Sequence, residues 1–128
     1  MDEAKGPVVW IVDDVATVRE STRALLETYG MTVRDYASAR GYLADFDSNS
    51  TAKGCLILDL HMPEMSGLEL LETLRARGAM FPIIVFTGRG DDALKEQVIG
   101  AGAVAMLHKP VDDKELVSLI EQAMRDPG

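Results

Sequence analysis

Two hydrophobic repeats alternate along the chain. Four short runs are apolar almost throughout: Val8-Val9-Trp10-Ile11-Val12, Gly54-Cys55-Leu56-Ile57-Leu58, Pro82-Ile83-Ile84-Val85-Phe86 and Ala103-Val104-Ala105-Met106-Leu107. Runs of this length between turn residues read as strands buried on both faces, as in parallel sheets. Proline fits as the first residue of such a strand. A fifth run, Met31 to Tyr36, alternates more and is placed at a sheet edge. Between the strands, apolar residues recur at helical spacing. Val15, Val18, Thr22, Leu25, Leu26 and Tyr29 mark a first helix, with Arg19, Glu20 and Glu27 elsewhere on the wheel and Gly30 closing it. Ser38 caps a second helix through about Phe46, and a polar loop, Asp47 to Lys53, follows. Ser66 caps a third helix whose stripe is Leu68, Leu71 and Leu74, closed by Gly78. A fourth, Asp91 to Ile99, has few large apolar residues (Leu94, Val98, Ile99) and glycines at both ends, Gly90 and Gly100, so it is expected to be the least firmly held. Leu116, Leu119, Ile120 and Ala123 face inward on the fifth.

Strands alternating with helices in this way predict an α/β fold, a parallel sheet covered on both faces by right-handed crossovers. One domain is expected over residues 8–125, after a flexible N-terminus (1–7) and before a tail or linker start (126–128). The pattern contains no internal repeat.

Composition narrows the function classes. The 128 residues are 47% hydrophobic and 27% charged, enough for one sizeable core. The net charge of −8 repels nucleic-acid phosphate and argues against direct DNA or RNA binding. The single cysteine, Cys55, excludes an intrachain disulfide and reads as a small buried hydrophobe. No apolar run approaches membrane-spanning length and no signal peptide is evident, so the cytoplasm is the expected compartment.

The chemistry lies at the strand ends. The first, third, fourth and fifth strands end at Asp13-Asp14, Asp59, Thr87 and Lys109. In an open α/β sheet the carboxyl edge is where ligands bind. With these strands as neighbours, the side chains converge on one crevice. Three carboxylates there repel one another and raise each other's pKa. A hard divalent cation removes that penalty, so the cluster reads as a site for Mg2+, or Mn2+ in its place. Lys109 adds a fixed positive charge and Thr87 a hydroxyl. A carboxylate facing a metal, an ammonium and a hydroxyl is equipped to attack a phosphoryl group.

Residues Ile11-Val12-Asp13-Asp14, Leu58-Asp59-Leu60-His61-Met62-Pro63-Glu64-Met65-Ser66-Gly67, Phe86-Thr87-Gly88 and Lys109-Pro110 together resemble a receiver domain of a two-component response regulator, most like the FixJ branch. The resemblance runs from about Val8 to Arg125. It implies a flavodoxin-like three-layer sandwich with strand order 2-1-3-4-5. It implies that Asp59 accepts a phosphoryl group from the phosphohistidine of a sensor histidine kinase. Asp13, Asp14, Asp59 and the His61 backbone carbonyl would hold the metal, and Thr87 and Lys109 would contact phosphoryl oxygens. The signal would pass through the face made by the fourth helix, fifth strand and fifth helix, to an output domain or partner, with homodimerisation through that face on phosphorylation. The Lys109–Pro110 bond is often cis in the family. FixJ-type proteins usually carry a C-terminal helix-turn-helix; this chain ends first, as a stand-alone receiver or a fragment would.

Other readings attach to the same residues. Asp14 is also a good N-cap for the first helix. Thr87 taken alone is a strand-end threonine and Lys109 a surface lysine. Gly67 serves backbone geometry at a helix start. His108 is placed at the surface. In the family, the positions of His61 and Arg89, two past Asp59 and Thr87, tune phosphoryl lifetime, and both are expected to set access of hydrolytic water. One position departs from the family pattern: Met106 stands where receivers usually carry the aromatic switch residue. Methionine is flexible enough to fill the same gap as Thr87 moves. A pseudo-receiver used only for protein contacts is one alternative function. An aspartate-nucleophile phosphatase is another, but it would need a second acid where this chain has His61.

Overall fold

A computed structural model of the chain describes residues 7–47, 53–88 and 92–125. The strands are β1 (Val8–Val12), β2 (Thr32–Tyr36), β3 (Gly54–Asp59), β4 (Ile83–Thr87) and β5 (Ala105–His108). The helices are α1 (Ala16–Thr28), α2 (Ala39–Asp45), α3 (Gly67–Ala76), α4 (Asp92–Gly100) and α5 (Asp113–Arg125). All strand pairs are parallel, in the order β2-β1-β3-β4-β5. This is the flavodoxin-like sandwich the sequence implied, with the alternating β2 run at an edge.

Strand alternation divides the core in two. Val9, Ile11, Cys55, Ile57, Ile84 and Phe86 pack with Leu26 of α1 and Leu116, Val117 and Ile120 of α5. Val12, Leu56, Leu58, Ile83, Val85 and Met106 pack with buried residues of α2, α3 and α4 on the other face. The central strand β3 is buried at every position. Gly54 begins it where a Cβ would collide with the Val8 carbonyl and the Trp10 ring.

Local chemistry sets the helix ends. Ser66 and Glu69 form a reciprocal capping box on α3, with Ser66 Oγ accepting from the Glu69 amide at 3.1 Å and Glu69 Oε1 accepting from the Ser66 amide at 2.9 Å. Ser38 Oγ accepts from the Gly41 amide at 3.0 Å at the start of α2. Gly30 and Gly78 follow α1 and α3 at φ 82° and 89°, backbone that glycine adopts without strain.

Some sequence expectations need correction. Only Leu26 is fully buried on α1; Val15 and Tyr29 are 43% and 50% exposed. They flank the helix as its caps, beyond the turns that rest on the sheet. On α3 the buried stripe is Gly67, Leu70, Leu71 and Leu74, and Leu68 is only half-buried. From that half-buried position Leu68 still packs against the same core. On α5, Leu116, Val117 and Ile120 are fully buried, and Leu119 faces inward as expected, partly buried against the same core. β5 begins at Ala105; the chain turns at Ala101-Gly102, with Gly102 at φ 114°, and Ala103 and Val104 lead from that turn into the strand. Arg75 holds that turn, donating to the carbonyls of Ala79, Phe81 and Gly102 at 2.8, 2.9 and 2.8 Å. On α4, Val98 is buried while Ile99 is 41% exposed, which matches a lightly anchored helix. The expected flexible N-terminus through residue 6, most of the loop after Asp47, Arg89, Gly90 and the 126–128 tail lie outside the described residues.

Candidate functional site

Parallel pairing brings every strand's carboxyl end to one edge. β3 ends at Asp59, beside Phe86 of β4, and β4 ends at Thr87, beside His108 of β5. The chain leaves β3 under restraint. The Leu60 amide donates to the Phe86 carbonyl at 2.8 Å and the Gly67 amide to the Leu60 carbonyl at 2.9 Å. A Cβ on Gly67 would overlap the Asp59 carbonyl oxygen and stand 2.8 Å from Leu60 Cα. The first turn of α3 therefore lies directly on the backbone that carries Asp59, and only glycine fits.

Asp13 is held on all sides. Its amide donates to the Tyr36 carbonyl at 3.1 Å. Its Oδ1 accepts from the Val15 amide at 2.9 Å, and its carbonyl accepts from Arg19 at 2.7 Å. Val15 occupies the N-cap position of α1 without a side-chain cap. The alternative of Asp14 as a helix cap is thus set aside: Asp13 binds the first free amide, and Asp14 is exposed to the crevice.

Lys109 follows β5, its amide donating to the Thr87 carbonyl at 2.7 Å and its peptide bond to Pro110 cis. Its Nζ stands 3.3 Å from Asp13 Oδ2 and 3.3 Å from Asp59 Oδ1. Asp13, Asp59 and Thr87 are 2%, 4% and 0% exposed. Carboxylate oxygens of Asp13, Asp14 and Asp59 all lie within 4.8 Å of one another. One ammonium among three carboxylates leaves the cluster negative. Burial, then the Asp13 charge, pushes the Asp59 carboxyl up to about 6, against the pull of Lys109. Clustered carboxylate oxygens with an excess of negative charge, one of them facing an open crevice, fit a hard divalent cation.

That crevice, of about 590 Å³, is lined by Asp14, Val15, Asp59, His61, Gly88, Leu94 and Lys109. His61 is exposed at its rim. His108 is exposed as well. Met106 is 6% exposed, pairs with Val85 and shares the core face next to α4. The structure thus brings Asp13, Asp14, Asp59, His61 and Lys109 to one place, with Thr87 on the adjoining strand end. Three neighbours escaped the sequence reading. Val15 was read as part of the apolar spacing of α1 and Leu94 as one of the few large apolar residues of α4, yet both line the crevice. Arg19 had been placed on the outer wheel of α1, and no pattern in the sequence marks a contact with a backbone carbonyl.

Comparison with known proteins agrees with this geometry. Residues 9–121 match the family described as response regulator receiver domain. The chain is 39% identical over 121 residues to the response regulator protein TodT of Pseudomonas putida, covering 94% of this chain and 52% of that protein. It is 39% identical over 117 residues to the transcriptional regulatory protein FixJ of Azorhizobium caulinodans, covering 91% of this chain and 54% of FixJ. It therefore spans about half the length of the curated relatives it matches. Among solved structures, FixJ-N superposes with a TM-score of 0.85 at 38% identity, over 95% of this chain and 96% of that one. The response regulator StyR superposes at 0.86 with 37% identity, over 94% and 60%.

Proposed function

This chain belongs to the response regulator receiver domain family, the phosphorylation-based switches of two-component signalling, and on that premise we propose that Asp59 is its phosphoacceptor. The observation that carries the assignment is the Lys109 ammonium 3.3 Å from both Asp59 and Asp13. Lys109 is thereby placed to exchange one anionic partner, the Asp59 carboxylate, for another, an oxygen of the incoming phosphoryl group.

Response regulators work with histidine kinases and output domains. In the proposed reaction an Asp59 carboxylate oxygen attacks the phosphorus of the kinase phosphohistidine. The new O–P bond forms as the P–N bond breaks, and the imidazole leaves with the electron pair and takes up a proton. Lys109 then turns from the Asp59 carboxylate to a phosphoryl oxygen, and the Thr87 hydroxyl donates to another. Receiver domains bind Mg2+ at an acidic pocket. Here Asp13, Asp14, Asp59 and the His61 carbonyl would hold it, or Mn2+ in its place. The ion supplies charge neutralisation at the phosphoryl oxygens and relieves the carboxylate repulsion. The remaining residues position and shield: His61 at the rim, with Arg89, sets how freely water reaches the acyl phosphate.

The output is a shift between two states that the phosphoryl group binds unequally. Thr87 moves toward the phosphoryl group, and Met106 repacks behind it in place of the family's aromatic residue. The affected face is α4–β5–α5, and Ile99 on α4 and Val104 just before β5, 41% and 49% exposed, are apolar residues open to a second copy. Likeness to FixJ and TodT supports a transcriptional output reached through a further domain or partner. Such a receiver catalyses its own phosphorylation and dephosphorylation and is no conventional enzyme.

Acetyl phosphate with Mg2+ should add one phosphoryl group to the wild-type chain, seen by intact mass, and none to Asp59→Asn. Equal labelling of both would remove Asp59 from its role.

A further inference from the structure

Arg19 lies on α1, outside the acidic cluster, and no step above uses it. Its guanidinium NH1 donates to the Asp13 carbonyl at 2.7 Å. Its Nε is 3.9 Å from Asp35 on the neighbouring strand β2, and Arg23 binds the same Asp35 at 2.9 Å. The Arg19 side chain is only 17% exposed. The N-cap residue Val15 supplies no side-chain cap, and the Asp13 side chain holds this loop only through the Val15 amide. The Asp13 carbonyl belongs to the peptide that joins the two acids, so its orientation sets where both side chains point.

We infer that Arg19 is a positioning residue for the divalent-cation site: it clamps the Asp13–Asp14 peptide from behind, with Asp35 holding the guanidinium in place. The inference rests on the metal reading above. Charge and geometry predict opposite outcomes, which makes it decidable. A cation this near the acids repels Mg2+, so loss of its charge alone would tighten binding. Loss of the clamp frees the peptide to rotate and scatters the ligand oxygens, which weakens binding. Hydrogen bonds behind a ligand commonly change metal affinity by about tenfold or more.

The test is Mg2+ titration by calorimetry on the full chain, with no phosphodonor. Arg19→Met keeps the apolar stem of the side chain and removes the guanidinium donors. It should bind Mg2+ about tenfold more weakly, while Arg23→Met, which breaks the other ion pair to Asp35, should stay within about twofold of wild type. The carbonyl 13C resonance of Asp13 should shift in Arg19→Met alone. Should Arg19→Met fail to fold, Arg19→Gln, which is too short to reach, carries the same expectation. Unchanged or tighter binding in the Arg19 variants would overturn the inference while leaving the metal site intact. Equal weakening in Arg23→Met would also overturn it, as a general loosening of α1. A wild-type chain with no Mg2+ binding would overturn the metal reading, and this inference with it.

Discussion

The Lys109 ammonium lies 3.3 Å from an Asp59 carboxylate oxygen, across 50 positions of sequence. Among the described residues it is the cation paired with two of the three clustered acids, Asp13 and Asp59. Its replacement should therefore be felt twice. Lys109→Met leaves two buried carboxylates without a counter-charge, and metal-free stability should fall by about 2 kcal/mol, below the full buried-pair value because Lys109 is partly exposed. Phosphorylation by acetyl phosphate should slow by about 100-fold, as expected when one charged donor to the reacting group is lost. Urea denaturation and the rate of mass increase measure the two effects, and an unchanged rate would exclude Lys109 from the reaction.

Asp59 makes stability depend on pH. Its carboxyl is raised from 3.8 to about 6. Between those values the folded state holds a proton that the unfolded state has released, so metal-free stability falls as pH rises through the window. The cost is complete above about pH 6, on the order of 3 kcal/mol. Asp59→Asn should be more stable than wild type at neutral pH by about that amount and should lose the slope between about pH 4 and 6. Mg2+ should narrow the gap by stabilising the wild type more. Chemical denaturation across pH, with and without Mg2+, reads both, and a wild type that gains stability through the window would contradict the raised carboxyl.

Gly67 is a steric fit, since its described backbone φ is not positive. Gly67→Ala must push α3 away from the Asp59 backbone. A loss of about 2 kcal/mol is expected, within the range for overpacking a closed site. Because the displaced atoms carry the proposed phosphoacceptor, phosphorylation should slow as well. A variant that matches wild type in melting temperature and rate would show that the contact yields freely.

Met106 separates chemistry from output. It is 6% exposed in the core, so Met106→Ala should cost about 2–4 kcal/mol. Asp59 should still be phosphorylated, since Met106 does not line the crevice. The amide shifts that phosphorylation produces in α4 and β5 should shrink. A full-sized response in Met106→Ala would show that the relay bypasses this side chain.

Much of this protein was legible in the chain. Apolar runs broken by helical stripes specify a parallel sheet, because strands buried on both faces and amphipathic crossovers satisfy each other's apolar surfaces in few ways. Parallel strands put all their carboxyl ends on one edge, so Asp13, Asp59, Thr87 and Lys109 could be assigned to one region by position alone. Burial at helix ends was less legible. Val15 and Tyr29 fit the α1 periodicity, but periodicity continues past the point where the sheet stops. Likewise Leu68 and Leu70 both suit a stripe, and only packing against the sheet buries Leu70 fully and Leu68 in part.

The one-dimensional pattern thus determined the elements, their order and the chemical groups at the working edge, all of which follow from local spacing and solvent preference. The tertiary structure alone decided what those groups do to each other. The height of the Asp59 pKa, the division of Lys109 between two acids, the contact of Gly67 with the Asp59 backbone and the grip of Arg19 on the Asp13 carbonyl depend on distances of a few ångströms between separate elements. Electrostatic and steric energies change steeply over such distances, and the sequence of residue types carries no measure of them.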